Sequence, residues 1–235
     1  MITDLWTTLA ARAGVSLSER QRQQLSIYLD LLLTANAIMN LTRITDRAAA
    51  EVQHVGDALT LLPFIPEGQI SIADVGSGGG VPGLPLAIAR PDAAVTLIES
   101  TKKKAAFLAN AAKELGLENV RVLGQRAEEV GRSDARESFD IAVARAVATL
   151  DWLAEWCLPL TKVGGKMLAM KGKRAAEELP TASRAIRTLG GGETVVHPIE
   201  LPGAENLVVI EVPKIRKSDP RYPRDPTIAK GRALQ

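Results

Sequence analysis

Apolar positions recur at two different spacings along the chain, and the first spacing predicts helices. Near the N-terminus, apolar residues such as Leu25 and Leu29 stand three or four positions apart, which places them on one face of an α-helix. Ser18 and Gln21 have the spacing of a capping box at the start of that helix. We therefore expect residues 1–66 to form an N-terminal helical subdomain.

From Ile70 onward, short apolar runs alternate with amphipathic helical segments. Five such pairs are typical of a parallel sheet that carries helices on both faces. Two later apolar runs, over 194–201 and 206–212, are joined by PGAE without a helix, so we expect an antiparallel hairpin. The prediction is an α/β fold over 67–213, with a central, mostly parallel seven-stranded sheet that ends in this hairpin. Residues 214–235 follow as a tail.

The composition allows a sizeable buried core with few aromatic side chains. The 235 residues are 46% hydrophobic but only 3% aromatic, so the core is expected to consist of Leu, Ile, Val and Ala. A net charge of +2 is too small to indicate a nucleic-acid partner by itself. The charge is concentrated in the tail, where seven Lys or Arg residues stand against two acids. The tail is therefore the basic part of the chain.

The sequence gives no sign of a metal site or of membrane insertion. Cys157 is the only cysteine and lies in an apolar stretch, so we interpret it as a small buried hydrophobe. His54 and His197 are far apart and show no metal-ligand spacing. No apolar run approaches the roughly 18 residues of a membrane span, and no secretory signal opens the chain. A cytoplasmic, metal-independent monomer is expected.

The stretch from Ile70 to Gly83, ISIADVGSGGGVPG, is the strongest functional signal in the chain. An apolar run predicts a strand that is buried on both faces, and the segment after the glycines predicts a helix. The glycines allow left-handed backbone conformations and the close approach of a ligand. A dinucleotide would fit, because Gly78, Gly80 and Gly83 satisfy G-x-G-x-x-G. S-adenosylmethionine would fit as well.

Three features favour the methyl donor. Asp74 closes the strand, where a carboxylate would face the pyrophosphate of a dinucleotide but could bind the amino group of a methionine moiety. Pro82 removes one N–H from the region that would cradle phosphate. The pattern D-x-G-x-G-x-G from Asp74 to Gly80 resembles the first motif of Rossmann-like methyltransferases. We therefore expect S-adenosylmethionine as the cofactor, with contacts at Asp74, Gly76 and Gly78.

Charged residues follow the other predicted strands at the same rim of the sheet. Glu99 ends the second strand, where an acid can accept hydrogen bonds from both ribose hydroxyls of either cofactor. Ala127 and Glu128 follow the third strand and are expected to meet the adenine. Arg145 and Lys171 end the fourth and fifth strands and suit a phosphodiester or a guanine, whose O6 and N7 accept hydrogen bonds. Lys171 has a second interpretation, as an exposed lysine in the turn KGKR.

Short motifs lie in order along most of the chain. They are Asn40-Leu41-Thr42, His54 with Asp57 in HVGDAL, DVGSGGGVPGLPLAIARP, Glu99-Ser100 to Lys104 with Phe107-Leu108, Arg145-Ala146, Met170-Lys171-Gly172 and Arg221-Tyr222-Pro223-Arg224. In this combination the chain resembles the RsmG family, once called glucose-inhibited division protein B. These bacterial methyltransferases modify guanine N7 in the 530 loop of 16S ribosomal RNA. The resemblance implies a Rossmann-like class I S-adenosylmethionine-dependent methyltransferase fold and a partner in 16S rRNA or the 30S subunit.

The resemblance also implies roles for particular residues. The implied cofactor contacts are Gly76, Val81, Ala127, Glu128 and Arg145. The implied catalytic residues are Arg145, which would orient the base, with Lys171 and Asn40. The RNA-binding residues are expected to be Lys171, Arg221, Arg224 and Lys230.

Three departures from the family pattern stand out. Ala144 replaces the serine that usually precedes the Arg-Ala pair, and Ala37-Ile38-Met39 replaces the usual Trp-Asn. After RYPR the tail reads DPTIAKG instead of a glycine-rich, basic ending. The last departure bears on the tail's RNA contacts more than on the cofactor site.

The implied reaction needs no general base, because guanine N7 carries an in-plane lone pair that can attack a sulfonium methyl directly. Alignment and electrostatics would carry catalysis. The chain lacks the Asn-Pro-Pro-Tyr motif of amino methylation and a motif-borne cysteine. Two alternatives stay open, a methyltransferase of the same fold that acts on a protein or small metabolite, and a non-catalytic RNA-binding module. The tail alternatively forms a solvated, partly disordered end.

Overall fold

A seven-stranded sheet forms the centre of the computed structural model, which describes residues 2–229 and 231–234. The strands are β1 (Ser71–Val75), β2 (Ala94–Ile98), β3 (Val120–Leu123), β4 (Phe139–Arg145), β5 (Thr161–Lys171), β6 (Val195–Leu201) and β7 (Ala204–Pro213). Their order is β3-β2-β1-β4-β5-β7-β6, with β1 to β5 parallel and β7 antiparallel to both neighbours. The predicted α/β fold with its C-terminal hairpin is confirmed.

Helices precede the sheet and alternate with its strands. They are α1 (Ile2–Ala11), α2 (Glu19–Met39), α3 (Arg47–Ala50), α4 (Asp57–Leu59), α5 (Gly83–Ala89), α6 (Lys102–Glu114), α7 (Ala127–Val130), α8 (Leu150–Cys157), α9 (Ala175–Thr188) and α10 (Pro226–Ala229). A π-helical turn, Glu51–Gly56, joins α3 to α4. The capping box at the start of α2 is confirmed, because Ser18 and Gln21 exchange backbone and side-chain hydrogen bonds.

Alternate residues of the strands enter two hydrophobic clusters, one on each face of the sheet. Ile72 and Ala73 are neighbours on β1 but belong to different clusters, since successive side chains of a strand point to opposite faces. The first cluster includes Leu9 of α1 and Leu29 of α2, so the N-terminal helices pack onto this face. The second includes Leu153 of α8. The boundaries between the three predicted segments stay predictions.

The basic tail is folded against the sheet domain in the part that the structure describes. Lys214 is only 1% exposed, its Nζ donates to the carbonyl of Leu158, and it pairs with Glu137 at 3.3 Å. Arg136 donates to the carbonyl of Ser218 at 2.9 Å. This stretch is therefore attached to the domain through Lys214 and Ser218, whereas the alternative of a solvated, partly disordered end stays open for the rest of the tail.

No helix in residues 2–229 and 231–234 has the length and hydropathy that crossing a membrane requires. The same residues contain no group of three or more His, Cys, Asp or Glu side chains arranged to hold a metal ion. Cys157 is fully buried and burial raises the pKa of its thiol, which agrees with its interpretation as a small hydrophobe.

Candidate active site

A cavity of about 1550 Å³ opens at the carboxyl ends of the central strands. Its walls include the glycine loop after β1, the ends of β4 and β5, the segment 40–44 after α2, and part of the π-helical turn. The strand order reverses between β1 and β4, and open α/β sheets bind ligands at such a point. Ordinary small-molecule pockets have roughly 300–1,000 Å³, so this cavity has room for more than one ligand.

The glycine loop lies against the chain that follows β4. Gly76 has a φ of 73°, and a Cβ there would lie 2.7 Å from the side chain of Val147. Gly78 is also left-handed, with a φ of 54°, but the space around its Cβ position is nearly open. The backbone N–H groups of Gly76 and Ser77 donate to the carbonyl of Ile98, which fixes the loop to the end of β2. The loop therefore presents its backbone to the cavity.

Asp74 lies beneath the glycine loop. It is 1% exposed, and its Oδ2 accepts a hydrogen bond from the N–H of Gly83 at 3.0 Å. Its Oδ1 is buried and has no partner among the described residues. Burial raises the pKa of Asp74 to about 7. Asp74 is absent from the cavity lining, so its position favours a role in holding the loop over the direct ligand contact expected from the sequence.

Glu99 directly follows β2 and lines the cavity, at the rim of the sheet where the strand pattern placed it. Its Oε2 accepts from the N–H of Gly78 at 3.0 Å, and its Oε1 accepts from the N–H of Thr101 at 2.7 Å. These two bonds fix the orientation of the carboxylate at the cavity wall. Each oxygen keeps a further lone pair, so the group can still accept hydrogen bonds from a ligand.

The remaining predicted cofactor contacts lie in different places. Val81 lines the cavity and is nearly buried. Ala127 and Glu128 begin α7 beyond β3, and neither contributes to the cavity lining. Glu128 is buried, at 8% exposure. The structure thus brings Val81 to the cavity, whereas the adenine contacts of Ala127 and Glu128 stay predictions.

Arg145 ends β4 and is held by three groups of the N-terminal helical region. Its Nη1 donates to the carbonyl of Gln53 at 2.6 Å and to Asp57 Oδ2 at 2.8 Å. Its Nη2 donates to His54 Nδ1 at 3.0 Å. Gln53 and His54 belong to the π-helical turn and Asp57 begins α4 directly after it, and π-helical turns occur frequently at functional sites. Arg145 therefore couples the helical region to the end of β4.

Charge and burial determine the states of the groups around Arg145. Burial and the nearby guanidinium lower the pKa of His54 to about 4. Burial raises the pKa of Asp57, although the Arg145 cation opposes that shift. The neutral imidazole contacts Thr42 Oγ1 through Nε2 at 3.0 Å. A chain of hydrogen bonds thus extends from Arg145 to the segment after α2.

Asn40 lies at the cavity wall, as expected for a site residue. It forms the C-cap of α2 with a left-handed φ of 51°, and its N–H donates to the carbonyl of Asn36 at 3.2 Å. Asparagine tolerates this conformation better than most residues, so its backbone role gives a structural reason for the residue type. Its exposed side chain remains available to a ligand.

Lys171 lines the cavity but is engaged in internal contacts. Its Nζ donates to the carbonyl of Ala148 at 2.7 Å and pairs with Glu178 at 2.6 Å. Glu178 also accepts from the N–H of Leu150 at 2.8 Å. The lysine side chain is only 10% exposed, so its interpretation as an exposed turn residue is wrong. Lys171 holds the loop after β4, and its RNA contact stays a prediction.

Two of the predicted RNA-binding residues of the tail, Arg221 and Arg224, do not line the cavity. Arg224 forms a bidentate pair with Glu155, which is 1% exposed, at 2.8 and 2.6 Å. Arg221 is exposed and pairs with Asp219 at 2.9 Å. Lys230 lies outside the described residues. Arg224 is thus held to the domain by a buried carboxylate, and its RNA contact stays a prediction.

Sequence reasoning missed several residues of the site. The hydroxyl of Tyr28, a fully buried residue of α2, donates to the carbonyl of Gly79 in the glycine loop at 2.9 Å. The carbonyl of Gln53 binds Arg145, and no sequence pattern signals a backbone acceptor. The basic residues Arg43, Lys104, Lys173 and Arg174 line the cavity. The run Lys102–Lys104 was a visible signal for this last group.

Comparison with known proteins gives consistent matches over nearly the whole chain. Residues 21–207 match the family model GidB, rRNA small subunit methyltransferase G. Ribosomal RNA small subunit methyltransferase G of Pelotomaculum thermopropionicum is 44% identical over 230 residues, which cover 96% of this chain and 95% of the relative. The protein of the same name from Lactobacillus delbrueckii subsp. bulgaricus is 42% identical over 229 residues, with 95% and 96% covered.

The fold also has counterparts among solved structures. The crystal structure of a SAM dependent methyltransferase from Aquifex aeolicus superposes with a TM-score of 0.56 at 14% identity. The match covers 74% of this chain and 96% of that chain. At this identity the likeness establishes the fold alone.

Proposed function

The chain belongs to the rRNA small subunit methyltransferase G family, as its motifs predicted, and we propose that it methylates N7 of a guanine in the 530 loop of 16S ribosomal RNA. S-adenosylmethionine is the proposed methyl donor. The observation that carries the proposal is the position of Arg145, beside the glycine loop in a cavity large enough for a cofactor and a base. The proposed partner is 16S rRNA or the 30S subunit, which the protein meets as a cytoplasmic monomer.

The residues of the cavity fit S-adenosylmethionine. The left-handed glycines 76 and 78 present backbone to the cavity, and the Cβ position of Gly78 is nearly open. Glu99 is held by two backbone N–H groups and keeps lone pairs for a ribose diol. When bound, this cofactor supplies a methyl group on a sulfonium sulfur. Glu99 would bind its ribose, and Asp74 would hold the loop that shapes its site.

Arg145 has hydrogen-bond donors left for a base. Its guanidinium carries five N–H groups, and the hydrogen bonds to Gln53, Asp57 and His54 use three of them. The Nε–H and one Nη2–H have no acceptor in residues 2–229 and 231–234. Arg145 would therefore orient the guanine through geometry, since its charge would oppose a base that becomes positive on methylation. Guanine N7 needs no proton removed, so no general base is required.

Basic residues at the mouth of the cavity suit an RNA backbone. Arg43, Lys104, Lys173 and Arg174 come from three separate segments that meet there. Lys102 and Lys103 are exposed in the first turn of α6, where the helix dipole disfavours positive charge. Three lysines in the first turn of α6 interact unfavourably with the helix dipole. Attraction of phosphate to their side chains would explain their presence there. We therefore propose that these basic residues at the mouth of the cavity, the rim of the cavity, provide most of the electrostatic attraction for RNA, rather than the tail.

Methyl transfer tests the proposal directly. Labelled S-adenosylmethionine is offered with 16S rRNA and with 30S subunits, and the product is mapped by cleavage at N7-methylguanine. We expect label at one guanine of the 530 loop for the wild type and for Arg184→Ala, an exposed arginine on α9. We expect little label for Arg145→Ala.

A cofactor-binding measurement decides between the proposal and its alternative. If the wild type binds S-adenosylmethionine but labels neither RNA substrate, the guanine proposal fails. The same fold acting on a protein or small metabolite would then be the function to test.

A further inference from the structure

Three side chains form a hydrogen-bond chain from the end of β4 to the segment after α2. Arg145 Nη2 lies 3.0 Å from His54 Nδ1, and His54 Nε2 lies 3.0 Å from Thr42 Oγ1. A guanidinium only donates, so Nδ1 must accept. A neutral imidazole that accepts at Nδ1 carries its hydrogen on Nε2. His54 therefore donates to Thr42, and the direction of the chain is fixed by Arg145.

The hydroxyl of Thr42 has one hydrogen-bonding role left, that of a donor. Its oxygen accepts from His54 Nε2–H and also from the N–H of Ile44 at 3.1 Å. Both lone pairs are then in use. Its own hydrogen has no acceptor in the part of the chain that the structure describes, although Thr42 lines the cavity. Thr42 can donate a hydrogen bond to a ligand and cannot accept one.

The backbone around Thr42 is held in place as well. The N–H of Thr42 donates to Asn36 Oδ1 at 2.8 Å, and Asn36 is 7% exposed. The hydroxyl therefore projects from a fixed segment, and its neighbours at the cavity wall include Arg145 and the glycine loop. A donor that is fixed in position and direction can discriminate between ligand groups of opposite polarity.

We propose that Thr42 donates a hydrogen bond to O6 of the target purine and thereby selects guanine over adenine. The inference rests on the proposed function, because it assigns an atom of the same substrate. N7 must keep its lone pair free for the methyl group, so O6 is the acceptor that remains on that edge of guanine. Adenine carries an amino group there, which is a donor and meets a hydroxyl without a free lone pair. Thr42 is thus a specificity-determining residue.

The test compares bases that differ at position 6. RNA substrates carry guanosine, inosine or 2,6-diaminopurine riboside at the target position. Inosine keeps O6 and lacks the 2-amino group, whereas diaminopurine keeps the 2-amino group and replaces O6 by an amine. For the wild type we expect similar kcat/KM for guanosine and inosine, and a value for diaminopurine that is roughly 10- to 100-fold lower.

Two substitutions at position 42 separate the hydroxyl from the shape of the side chain. Thr42→Val keeps the branched shape, and we expect the preference for guanosine over diaminopurine to collapse to within about threefold. Thr42→Ser keeps the hydroxyl, and we expect it to keep the preference. Both variants should bind S-adenosylmethionine with unchanged Kd, which controls for the fold of the cavity.

The outcomes distinguish this inference from the proposed function. If the wild type labels guanosine but Thr42→Val retains the wild-type preference, the inference fails and the proposed function stands. If the wild type labels no guanosine while it binds S-adenosylmethionine, both fail. A separate measurement uses ¹⁵N chemical shifts of the His54 ring near pH 7. Protonation at Nε2 supports the fixed direction of the chain, and protonation at Nδ1 overturns it.

Discussion

Arg145 pairs with the partly buried Asp57 and Arg224 with the buried Glu155, yet the two arginines differ in which edge of the guanidinium is occupied. Arg224 presents its Nε–Nη2 edge to Glu155 in a bidentate pair, and its Nη2 also donates to the carbonyl of Arg232. Arg145 instead uses Nη1 and one Nη2–H for the N-terminal helical region. Its Nε–H has no acceptor among the described residues. The Nε–Nη2 edge, which can recognise carboxylates and bases, is therefore fully used in Arg224, whereas Arg145 keeps its Nε–H and one Nη2–H.

The surroundings of the two arginines add to this difference. Arg224 lies 5.7 Å over the ring of Trp152, and its carboxylate partner on α8 is 1% exposed. The pair of Arg224 with Glu155 attaches the tail to α8. Arg145 stands between the glycine loop and the π-helical turn, at the cavity. Each arginine keeps two N–H groups after its internal contacts, so the difference lies in which edge of the guanidinium is left and in whether the residue lines the cavity.

The largest expected effect is the loss of activity in Arg145→Lys. A lysine keeps the positive charge near Asp57 but lacks the planar fork, so it cannot hold both the helical region and a base. We expect kcat/KM for methyl transfer to fall roughly 100- to 1,000-fold. The free energy of unfolding should change much less. Steady-state kinetics and urea titration measure the two quantities.

The lysine variant also has an outcome that would contradict this account. If Arg145→Lys transfers methyl at close to the wild-type rate, positive charge alone is sufficient at the end of β4. The remaining N–H groups of Arg145 would then not be needed for methyl transfer, and they would not distinguish the function of Arg145 from that of Arg224.

The second effect is on stability and concerns the tail. Arg224→Ala leaves the buried carboxylate of Glu155 without its partner, which typically costs about 3–5 kcal/mol. We expect that loss in the free energy of unfolding by urea, with the methyl transfer rate of the folded protein unchanged. In the double variant Arg224→Met/Glu155→Leu no charge is left unpaired, so a smaller loss is expected. If Arg224→Ala instead weakens RNA binding without a loss of stability, Arg224 contacts RNA.

The contrast also explains what the sequence could predict. The alternation of apolar runs and helices is local, so it predicted the succession of strands and helices up to the hairpin and placed Glu99 and Arg145 at one edge of the sheet, but it did not predict the strand order. This local alternation gives no information about the partners of Arg224 and Lys171. Glu155 lies 69 residues before Arg224, and the contact exists only because the tail folds back onto α8.

The N-terminal helical region shows the same limit at the cavity. His54 and Asp57 were visible as parts of a motif, but their common partner Arg145 lies about 90 residues away. The π-helical turn that brings them together has no signal in the apolar spacing. The direction of the hydrogen bond to Thr42 follows only after Arg145 is placed, so it is a property of the assembled site.

The third prediction concerns pH and the carboxylate beneath the glycine loop. Because burial raises the pKa of Asp74 from 3.8 to about 7, the folded state keeps a proton that the unfolded state releases above about pH 4. The free energy of unfolding contributed by Asp74 is therefore lost as the pH rises through 7. Between about pH 5.5 and 7 the loss should be roughly 1.5 to 2 kcal/mol.

Asp74→Asn isolates this contribution, since an amide oxygen can still accept from Gly83 N–H. We expect the variant to gain stability relative to the wild type as the pH rises through this window. The difference between the two proteins removes the opposite effect of His54, whose lowered pKa makes folding less favourable in acid. A constant difference across the window would show that Asp74 titrates alike in both states. Burial of the Asp74 carboxylate beneath the glycine loop would then make no pH-dependent contribution to the free energy of unfolding.

The smallest effect distinguishes the rim of the cavity from the exposed part of the tail. Lys104 lines the cavity, whereas Arg221 is 79% exposed and pairs with Asp219 on the surface. If phosphate meets the rim, Lys104→Ala should weaken RNA binding a few-fold and reduce the slope of log Kd against log salt by about one. Arg221→Ala should leave that slope and the free energy of unfolding unchanged, because an exposed ion pair contributes little to stability. The reverse result, a smaller slope for Arg221→Ala alone, would place the RNA on the tail. The tail would then bind RNA through Arg221 while Arg224 holds it to the domain, and the distinction between structural and functional arginines would run within the RYPR motif itself.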